Sequence, residues 1–334
     1  MEKTRFMVKS RTAEYPAVRV SWADFWSKAR SCCALRYKAV HFRLMDINCL
    51  FYLGSTGSLL IFFHKSIPFW PSLTAGHAVA CGGILEIIRL NSQHPESRSL
   101  NVLRTFYPVP VFLFAWLELG WLVPMLFGSY WFTEILVQWD KLLFGVHPTV
   151  WVQRFYHNVW LNELMNFFYV GYYTFFVVIP LFLYASGQKR EARAVLSIAT
   201  FVYFSNFFLF FIFPACSPPF VPVIRELHTI PQTGFAFVNI HHFVQSNGGI
   251  PGGCFPSSHV AGAFAWVLCA FRYKRKLGWV LMPIAAGVFF ATVYNGVHHA
   301  VDPIIGVVWG ILMFRIALKW VQIRGEDPAH GVAP

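Results

Sequence analysis

Hydrophobic residues follow one another along this chain in long stretches, and short polar or basic segments separate them. A helix needs about 20 predominantly apolar residues to cross the hydrocarbon core of a bilayer. The pattern predicts about eight membrane-spanning helices, at residues 44–63, 69–88, 107–128, 166–185, 194–214, 257–271, 277–294 and 300–320. Glycine and serine make the first two less apolar, and the sixth is short for a full crossing. We therefore expect an all-α, polytopic integral membrane protein.

The composition agrees with this fold class. Hydrophobic residues make up 56% of the 334 residues and charged residues only 13%, whereas a soluble domain carries about 25% charged residues. The net charge of +12 could suggest a nucleic-acid partner, but the basic residues occur in short blocks between apolar stretches. Such blocks carry information on membrane topology, so we expect no nucleic-acid partner.

The basic residues also predict an orientation. Alternate segments, beginning with residues 1–43, hold 23 Lys and Arg residues, and the segments between them hold 4. Since basic loops stay in the cytoplasm, we predict that both termini are cytoplasmic, with 1–43 as a basic tail and 321–334 as a C-terminal tail. Residues 1–43 could alternatively hold a helix that lies on anionic lipid. The same rule places 129–165, 215–256 and the residues around His298 on the periplasmic or lumenal face.

Three polar clusters fall on that predicted outer face. They are F-P-A-C-S-P-P-F at 213–220, C-F-P-S-S-H at 254–259 and Y-N-G-V-H-H-A-V-D-P at 294–303. Polar side chains at membrane depth are costly, and they commonly mark a functional site. The alternating topology brings all three clusters to one membrane surface.

His298 and Asp302 are four residues apart, a spacing that places two side chains on the same face of a helix. A carboxylate bonded to one ring nitrogen fixes the tautomer and leaves the other nitrogen free as a nucleophile. Asp302-Pro303 is also a favourable start for a helix. In that case His298 precedes the helix, and the loop geometry brings the pair together.

The second cluster offers a partner for this pair. His259 provides another imidazole for proton transfer. Ser257 and Ser258, together with the first N–H groups of the sixth predicted helix, can bind an anion. Each feature taken alone is also typical of an ordinary helix start or of a hydrogen-bonded interface histidine. Their combination at one membrane surface favours a catalytic site.

P-S-S-H followed about 40 residues later by H-x-x-x-D resembles the type 2 phosphatidic acid phosphatase superfamily. The resemblance implies a six-helix catalytic membrane core over residues 107–320, with the two helices of 44–106 as an addition. It also implies a mechanism without a metal ion or another cofactor.

The resemblance further implies roles for the motif residues. His298 is similar to the nucleophile that forms a phosphohistidine, and Asp302 is similar to its orienting carboxylate. His259 corresponds to the acid that protonates the departing alcohol. Ser257 and Ser258 occupy phosphate-binding positions.

The sequence departs from the phosphatase pattern at three basic positions. Ordinary members carry K-x-x-x-x-x-x-R-P before the P-S-S-H motif, where this chain is apolar. They also carry Ser-Arg where this chain has Ala291 and Thr292. A di-anionic phosphomonoester needs such cationic ligands, whereas a phosphodiester carries a single charge and needs fewer.

The same losses occur in the inositol phosphorylceramide synthases, a branch that this chain resembles at F-P-A-C-S-P-P-F and at T-V-Y-N-G-V-H-H-A-V-D. The stretches D-K-L-L-F-G at 140–145 and N-F-F-Y-V-G-Y-Y at 166–173 are similar to its upstream part. This resemblance implies a phosphotransferase that moves a phospho-headgroup from a membrane phospholipid donor to a lipid alcohol acceptor.

Further phosphate contacts are expected from other residues of the predicted outer face. The candidates are Asn295, Asn206, Arg225 and Lys141; for the two cations the ordinary alternative is anchoring at the membrane interface. Cys216 and Cys254 lie at the two ends of the outer loop. They could form a disulfide in an oxidising compartment, or they could be two buried thiols.

Two other functions stay open from the sequence. One is a hydrolase that uses water as the acceptor, either a lipid phosphate phosphatase or a phospholipase C-like enzyme. The other is a membrane transporter or scaffold. Against the latter, the predicted spans hold few charges, mainly Glu86 and Glu118, and either glutamate could be a helix-packing partner. The sequence carries no signal for the oligomeric state.

Overall fold

The computed structural model describes residues 40–329, and this part of the chain is helical without strands. The predicted tails at 1–43 and 321–334 therefore lie largely or partly outside the described residues. Within residues 40–329, fourteen α-helices follow one another. They are α1 Leu44–Phe63, α2 Trp70–Gln93, α3 Arg98–Phe106, α4 Pro108–Met125, α5 Thr133–Phe144, α6 Pro148–Trp151, α7 Val159–Tyr173, α8 Phe175–Ala185, α9 Lys189–Ile212, α10 Pro222–Leu227, α11 Phe237–Gly248, α12 Ser258–Tyr273, α13 Arg275–Tyr294 and α14 Val301–Ile323.

Six described helices are long and apolar enough to cross a membrane: Leu44–Ser66, Trp70–Gln93, Arg98–Met125, Lys189–Ile212, Arg275–Tyr294 and Val301–Ile323. The pair α7 and α8, bent by 55°, adds a seventh if it forms one span. The integral membrane fold is thus supported, but the prediction of eight spans is not confirmed. The sixth predicted span is α12, which has only 16 residues between its serine start and the following basic block.

The third span differs most from its predicted bounds. Residues 98–106, expected in a polar loop, form α3, and α3 continues into α4 as one span of 28 residues. Pro108 permits this because proline is tolerated in the first turn of a helix, where its missing N–H is not needed. Arg104 of α3 is buried against α1, where it contacts Asp46 at 2.9 Å. Because Arg104 has a charged partner inside the protein, this basic residue can lie in a buried helix and not in the expected polar loop.

The helix α12 lies at the centre of the fold, where it packs against α9, α13 and α14. Glycines allow the close approach of α12 and α14. A Cβ atom added at Gly306 would lie 2.8 Å from the carbonyl oxygen of Ser257, and one at Gly310 would lie 2.5 Å from that of Ala261. Small residues let helix backbones approach in this way in membrane proteins. The backbone N–H of Ser257 consequently donates to the carbonyl oxygen of Asp302 at 3.2 Å.

Candidate active site

His259, His298 and Asp302 meet at the ends of α12 and α14. Nδ1 of His298 lies 3.2 Å from Oδ2 of Asp302, and Nε2 of His298 lies 3.2 Å from Nδ1 of His259. All three side chains are buried. A single line of hydrogen-bonding groups therefore runs from the carboxylate through one imidazole to the other.

The connection between α13 and α14 sets the position of His298. The helix α14 begins at Val301, so His298 precedes it and the pair with Asp302 is made by loop geometry. The N–H group of His298 donates to the carbonyl oxygen of Thr292, which closes the end of α13. Gly296 supplies the left-handed turn, with φ of 70°. The hydrogen-bond network assigns the proton of His298 to Nδ1, because the carboxylate of Asp302 can only accept, and Nε2 is then unprotonated.

Two tyrosines, which the sequence analysis did not select, surround the other histidine. Nε2 of His259 lies 3.1 Å from the hydroxyl of Tyr169 and 3.1 Å from that of Tyr173. The two hydroxyls are 3.0 Å apart, and Gln245 donates to Tyr169 at 2.8 Å. The two tyrosines are four residues apart on α7, a spacing that puts them on one helix face. This four-residue spacing is the feature of the sequence from which the tyrosine pair could have been selected.

The serines and Asn206 hold the segment that leads to His259. Ser257 caps α12, with its hydroxyl accepting from the N–H of Val260 at 3.4 Å. Ser258 is buried beside His259. The side-chain amide of Asn206 donates to the carbonyl oxygen of Pro256 at 3.2 Å. These contacts position the start of α12, and a phosphate-binding role for the three residues stays a prediction.

A cavity of about 650 Å³ opens beside the two histidines. Both histidines line it, together with apolar side chains from α4 and α8 such as Leu113 and Val177. None of its lining residues, all within the described part of the chain, is Lys, Arg, Asp or Glu. The reactive groups thus face a largely apolar, uncharged space.

A second cavity of about 610 Å³ has a different character. Arg225, Asn295 and several polar side chains line it, and it shares Gln245 and Val297 with the first cavity. Burial, with a smaller contribution from a neighbouring histidine, lowers the pKa of His241 in its wall to about 4. The structure therefore places two predicted ligands here. The other predicted cation, Lys141, is exposed on α5 and lines neither cavity.

Cys254 contacts the Asp302 end of the site. Its Sγ donates to Oδ2 of Asp302 at 2.8 Å and lies 3.7 Å from Nδ1 of His298. Burial, and then the nearby carboxylate, raises the pKa of this thiol well above its usual range. Cys254 and Cys216 are both free thiols, so the structure shows the second of the two alternatives for Cys254, a buried thiol, and no disulfide between them.

The ligand atoms of Cys254, His298 and Asp302 all lie within 4.8 Å of one another and could hold a metal ion. The absence of a metal requirement consequently stays a prediction.

Asp140 joins α5 to the connection that carries His298. Its carboxylate accepts from the N–H groups of Ala300 and Val301, each at 3.0 Å, and lies 3.7 Å from Nδ1 of His299. Burial alone would lower the pKa of His299, but the interactions with Asp140 and Asp302 and with the carbonyl of Cys216 outweigh it, and the pKa is raised. Asp140 thus stabilises the first N–H groups of α14.

Comparison with known families agrees with this site. A sequence model of the PAP2 superfamily matches residues 134–316, more than half of the chain and nearly all of the segment from α5 to α14. The chain belongs to the PAP2 superfamily, whose membership indicates a phosphatase-type or phosphotransferase-type enzyme that acts on phosphorylated substrates. Comparison with curated proteins and with solved structures gave no match. The family match does not distinguish the inositol phosphorylceramide synthase branch.

Proposed function

We propose that this protein is a membrane lipid phosphotransferase. It moves a phospho-headgroup from a phospholipid to a lipid alcohol through a phosphohistidine on His298. The observation that carries the proposal is the position of the imidazole pair. Nε2 of His298 and Nδ1 of His259 lie 3.2 Å apart at the wall of a cavity of about 650 Å³, and the described residues that line it include no Lys, Arg, Asp or Glu.

In the first half of the reaction, Nε2 of His298 attacks the phosphorus atom of the donor. The bond from phosphorus to the lipid oxygen breaks, and His259, which enters this step as the imidazolium with a proton on each ring nitrogen, gives its Nδ1 proton to that oxygen. The proton on Nδ1 of His298 stays hydrogen-bonded to the carboxylate of Asp302, which stabilises the positive charge of the phosphorylated ring. Nitrogens 3.2 Å apart leave no room for a phosphorus atom between them, so substrate binding must separate the two rings.

In the second half, the hydroxyl of the acceptor lipid takes the place of the departed alcohol. His259, now the neutral imidazole, removes the hydroxyl proton and becomes imidazolium again, and the oxygen attacks phosphorus. The bond from phosphorus to Nε2 breaks, which returns His298 to its neutral state. One imidazole serves first as acid and then as base, as the two symmetrical halves of the reaction require.

The charge of the site supports a phosphodiester donor. The positions where ordinary family members carry Ser-Arg are Ala291 and Thr292 here, and both are fully buried. The hydroxyl of Thr292 donates to the carbonyl oxygen of Phe289. A phosphomonoester dianion would lack cationic partners in this cavity, whereas a diester has a single charge that N–H and hydroxyl groups can stabilise.

The polar lining of the second cavity indicates which kind of lipid headgroup it can bind. Its polar lining includes Arg225, Gln232, Asn295 and Gln245 but no Asp or Glu among the residues described. A cationic headgroup would find no carboxylate there, while amide and guanidinium groups can donate to hydroxyls or to an anion. We therefore place a polyhydroxylated or anionic headgroup in this cavity and the acyl chains of the donor in the apolar one.

We also propose eight crossings, with α12 and the bent pair of α7 and α8 each crossing the membrane. The active site then faces the periplasm or lumen, and both termini lie in the cytoplasm. The distribution of 23 basic residues against 4 supports this orientation. Labelling of single introduced cysteines with an impermeant reagent in sealed vesicles tests it. Protection at the outer loop 229–232 in right-side-out vesicles would contradict it.

The test of activity uses purified protein in mixed micelles with a panel of headgroup-labelled phospholipids, with and without ceramide or diacylglycerol. We expect labelled headgroup on the added lipid alcohol, and a loss of at least about 1,000-fold in His298→Ala, since the nucleophile is removed. His157→Ala is the matched control because His157 is exposed, and its rate should stay unchanged.

A hydrolase is the second candidate, because water could reach the phosphohistidine from the same cavity. Release of the free phosphorylated headgroup or of phosphate, without transfer to either lipid alcohol, would identify it. Equal turnover in the wild type and in His298→Ala would contradict both proposals. An acid-labile phosphorylated protein, trapped with donor alone and absent in His298→Ala, would support the shared intermediate.

A further inference from the structure

We propose that Cys254, His298 and Asp302 bind a thiophilic divalent cation, represented by Zn²⁺, and that this ion inhibits the enzyme by occupying Nδ1 of His298. The binding site stands on the geometry alone. The inhibition rests on the proposed function, since it requires Nε2 of His298 to be the nucleophile. The two parts are tested separately below.

The separations of the three ligand atoms are close to those of a zinc site. Zinc bonds of about 2.3 Å to sulfur and 2.0–2.1 Å to nitrogen and oxygen, in a tetrahedron, place ligand atoms roughly 3.3–3.6 Å apart. The observed separations are 3.7 Å between Sγ of Cys254 and Nδ1 of His298 and 3.2 Å between Nδ1 and Oδ2 of Asp302. Only the 2.8 Å between Sγ and Oδ2 must widen.

An unused carboxylate oxygen offers a way to widen it. Oδ1 of Asp302 is buried and has no hydrogen-bond partner among the described residues, whereas nearly all buried polar atoms in proteins have one. Oδ2 already accepts from the N–H of His299 at 3.0 Å and from Cys254. A small rotation of the carboxylate would present Oδ1 to the ion and leave Oδ2 to the backbone.

The ligand set selects the kind of ion. A thiolate with an imidazole and a carboxylate suits Zn²⁺ or Cd²⁺, whereas Mg²⁺ and Ca²⁺ prefer oxygen ligands alone. Access is available because His298, Gly252 and Gly253 line the 650 Å³ cavity. The fourth coordination position can take a water molecule from that side.

Metal binding changes the protonation of the two ligands that carry a proton on the ligand atom, Cys254 and His298. The thiol of Cys254 loses its proton to solvent as the metal–sulfur bond forms. The proton on Nδ1 of His298 moves to Nε2, because the metal takes the lone pair of Nδ1. One proton is released for each ion bound, and the nitrogen that attacks phosphorus becomes protonated. The ion therefore inhibits by removing the nucleophilic lone pair.

Binding is measured first, with metal-depleted full-length protein titrated with Cd²⁺ and followed by the ultraviolet charge-transfer absorption of the cadmium–thiolate bond. All forms carry Cys32→Ser and Cys33→Ser, which remove the adjacent thiols near the N-terminus. We expect Cys254→Ser to weaken binding at this site at least about 100-fold, because the thiolate is lost. Cys269→Ser is the control, since Cys269 is buried elsewhere on α12.

Equal Cd²⁺ affinity and charge-transfer absorption in Cys254→Ser and the control would overturn the site. If Cys254→Ser does not fold, His298→Ala provides the second variant, and it should show the same loss. Proton release on Zn²⁺ addition to the unsubstituted protein in weak buffer is a further measurement. A value far from one proton for each ion bound at the site would contradict the ligand assignment.

The inhibition is measured by headgroup transfer at increasing Zn²⁺, with a chelator to reverse it. Each variant is compared with its own rate in the absence of metal, and Cys254→Ser should need at least about 100-fold more Zn²⁺ for the same fractional inhibition. Normal metal binding without inhibition would overturn the inhibitory role alone. Metal binding in a protein without transferase or hydrolase activity would overturn the proposed function and leave the site intact.

Discussion

The two ring nitrogens of His259 have different partners, and these partners assign the protons of the two neutral histidines in the substrate-free site. Because Nδ1–H of His298 donates a hydrogen bond to Asp302, Nε2 of His298 carries no proton and can only accept. His259 must therefore donate from Nδ1, and its Nε2 must accept from a tyrosine hydroxyl. Tyr169 and Tyr173 are thus positioning residues that hold the His259 ring with Nδ1 toward His298, the orientation that the proposed acid needs.

Removing these hydroxyls should slow turnover without abolishing it. A hydrogen bond contributes about 1 kcal/mol, and a buried group left unsatisfied costs about 1–3 kcal/mol. We expect Tyr169→Phe or Tyr173→Phe to lower kcat about 5-fold and the double variant to lower it roughly 10–100-fold. KM should change by less than about twofold, because the orientation of His259 and not the apolar lining is affected. Steady-state transfer kinetics measure both constants.

Tyr184→Phe provides the control for this series, because Tyr184 lies at the far end of α8, away from the cavity. Its kcat and KM should match those of the unsubstituted protein. An unchanged kcat in the double variant, or an increase in KM alone, would show that the two tyrosines only line the cavity.

Individual site residues could be predicted from the sequence where reactive residue types stand at defined intervals. His259, His298 and Asp302 were predicted because P-S-S-H and H-x-x-x-D combine reactive residue types at defined intervals. Tyr169 and Tyr173 stand in an aromatic stretch, where a tyrosine facing a histidine looks the same as one that faces lipid. The contact of Cys254 with Asp302 depends on the path of a loop, which no local pattern specifies.

The helix α5 holds the connection between α13 and α14 in place. The first N–H groups of a helix have no partners within it. At α14, the carboxylate of Asp140 supplies partners to Ala300 and Val301 from another helix. Since His298 lies two residues before Ala300, the position of the proposed nucleophile depends on α5.

We therefore expect Asp140→Ala to lower both stability and activity. Two buried N–H groups would lose their acceptor, at a cost of about 1–3 kcal/mol each. The thermal unfolding midpoint in detergent should fall, and kcat should fall roughly 10–100-fold in the fraction that stays folded. Asp140→Asn, which keeps one acceptor oxygen, should lie between Asp140→Ala and the unsubstituted protein in both measurements.

The control is Glu134→Ala, which removes an exposed carboxylate from the same helix. Its unfolding midpoint and kcat should stay close to the unsubstituted values. If Asp140→Ala behaved like this control, α5 would not hold the connection through Asp140.

The elements themselves were partly predictable. Long apolar stretches predicted α1, α2, α9, α13 and α14 within a few residues, because the length needed to cross a bilayer is fixed. The expected loop at 98–106 was wrong. Charge predicts solvent exposure only when no partner is available inside the protein, and Arg104 has Asp46.

Over the whole molecule, α1 and α2 pack onto the remaining helices through buried polar contacts. Besides the pair of Asp46 and Arg104, the hydroxyl of Tyr107 donates to Asp46 at 2.7 Å. Nε2 of His77 on α2 lies 2.9 Å from Glu118 on α4 and 3.0 Å from the hydroxyl of Thr56 on α1. Two of these contacts, Tyr107 to Asp46 and His77 to Glu118, cross the predicted boundary between residues 44–106 and the predicted catalytic core, so we expect the two parts to unfold together.

Replacement of Asp46 tests this coupling. Asp46→Ala removes a fully buried carboxylate that accepts from Arg104 and Tyr107, and breaking a buried ion pair in this way costs about 3–5 kcal/mol. We expect a large fall in the thermal unfolding midpoint, in a single transition. The matched control is Glu86→Ala, which removes one partner of the partly exposed pair of Glu86 and Arg89. A surface pair contributes about 0–1 kcal/mol, so the midpoint of the control should change little.

The two parts of the molecule are distinguished by a second measurement on Asp46→Ala. Trapping of the proposed phosphohistidine on His298 reports on residues 107–320, and protease resistance of residues 44–93 reports on the first two helices. If the structure unfolds as one unit, both signals are lost at the same temperature, because the helices that carry Asp46 and Glu118 share one buried interface with α9. Loss of protease resistance at a lower temperature than loss of phosphorylation would instead show that α1 and α2 are a separable addition. The buried polar contacts would then be too weak to join them to the catalytic core.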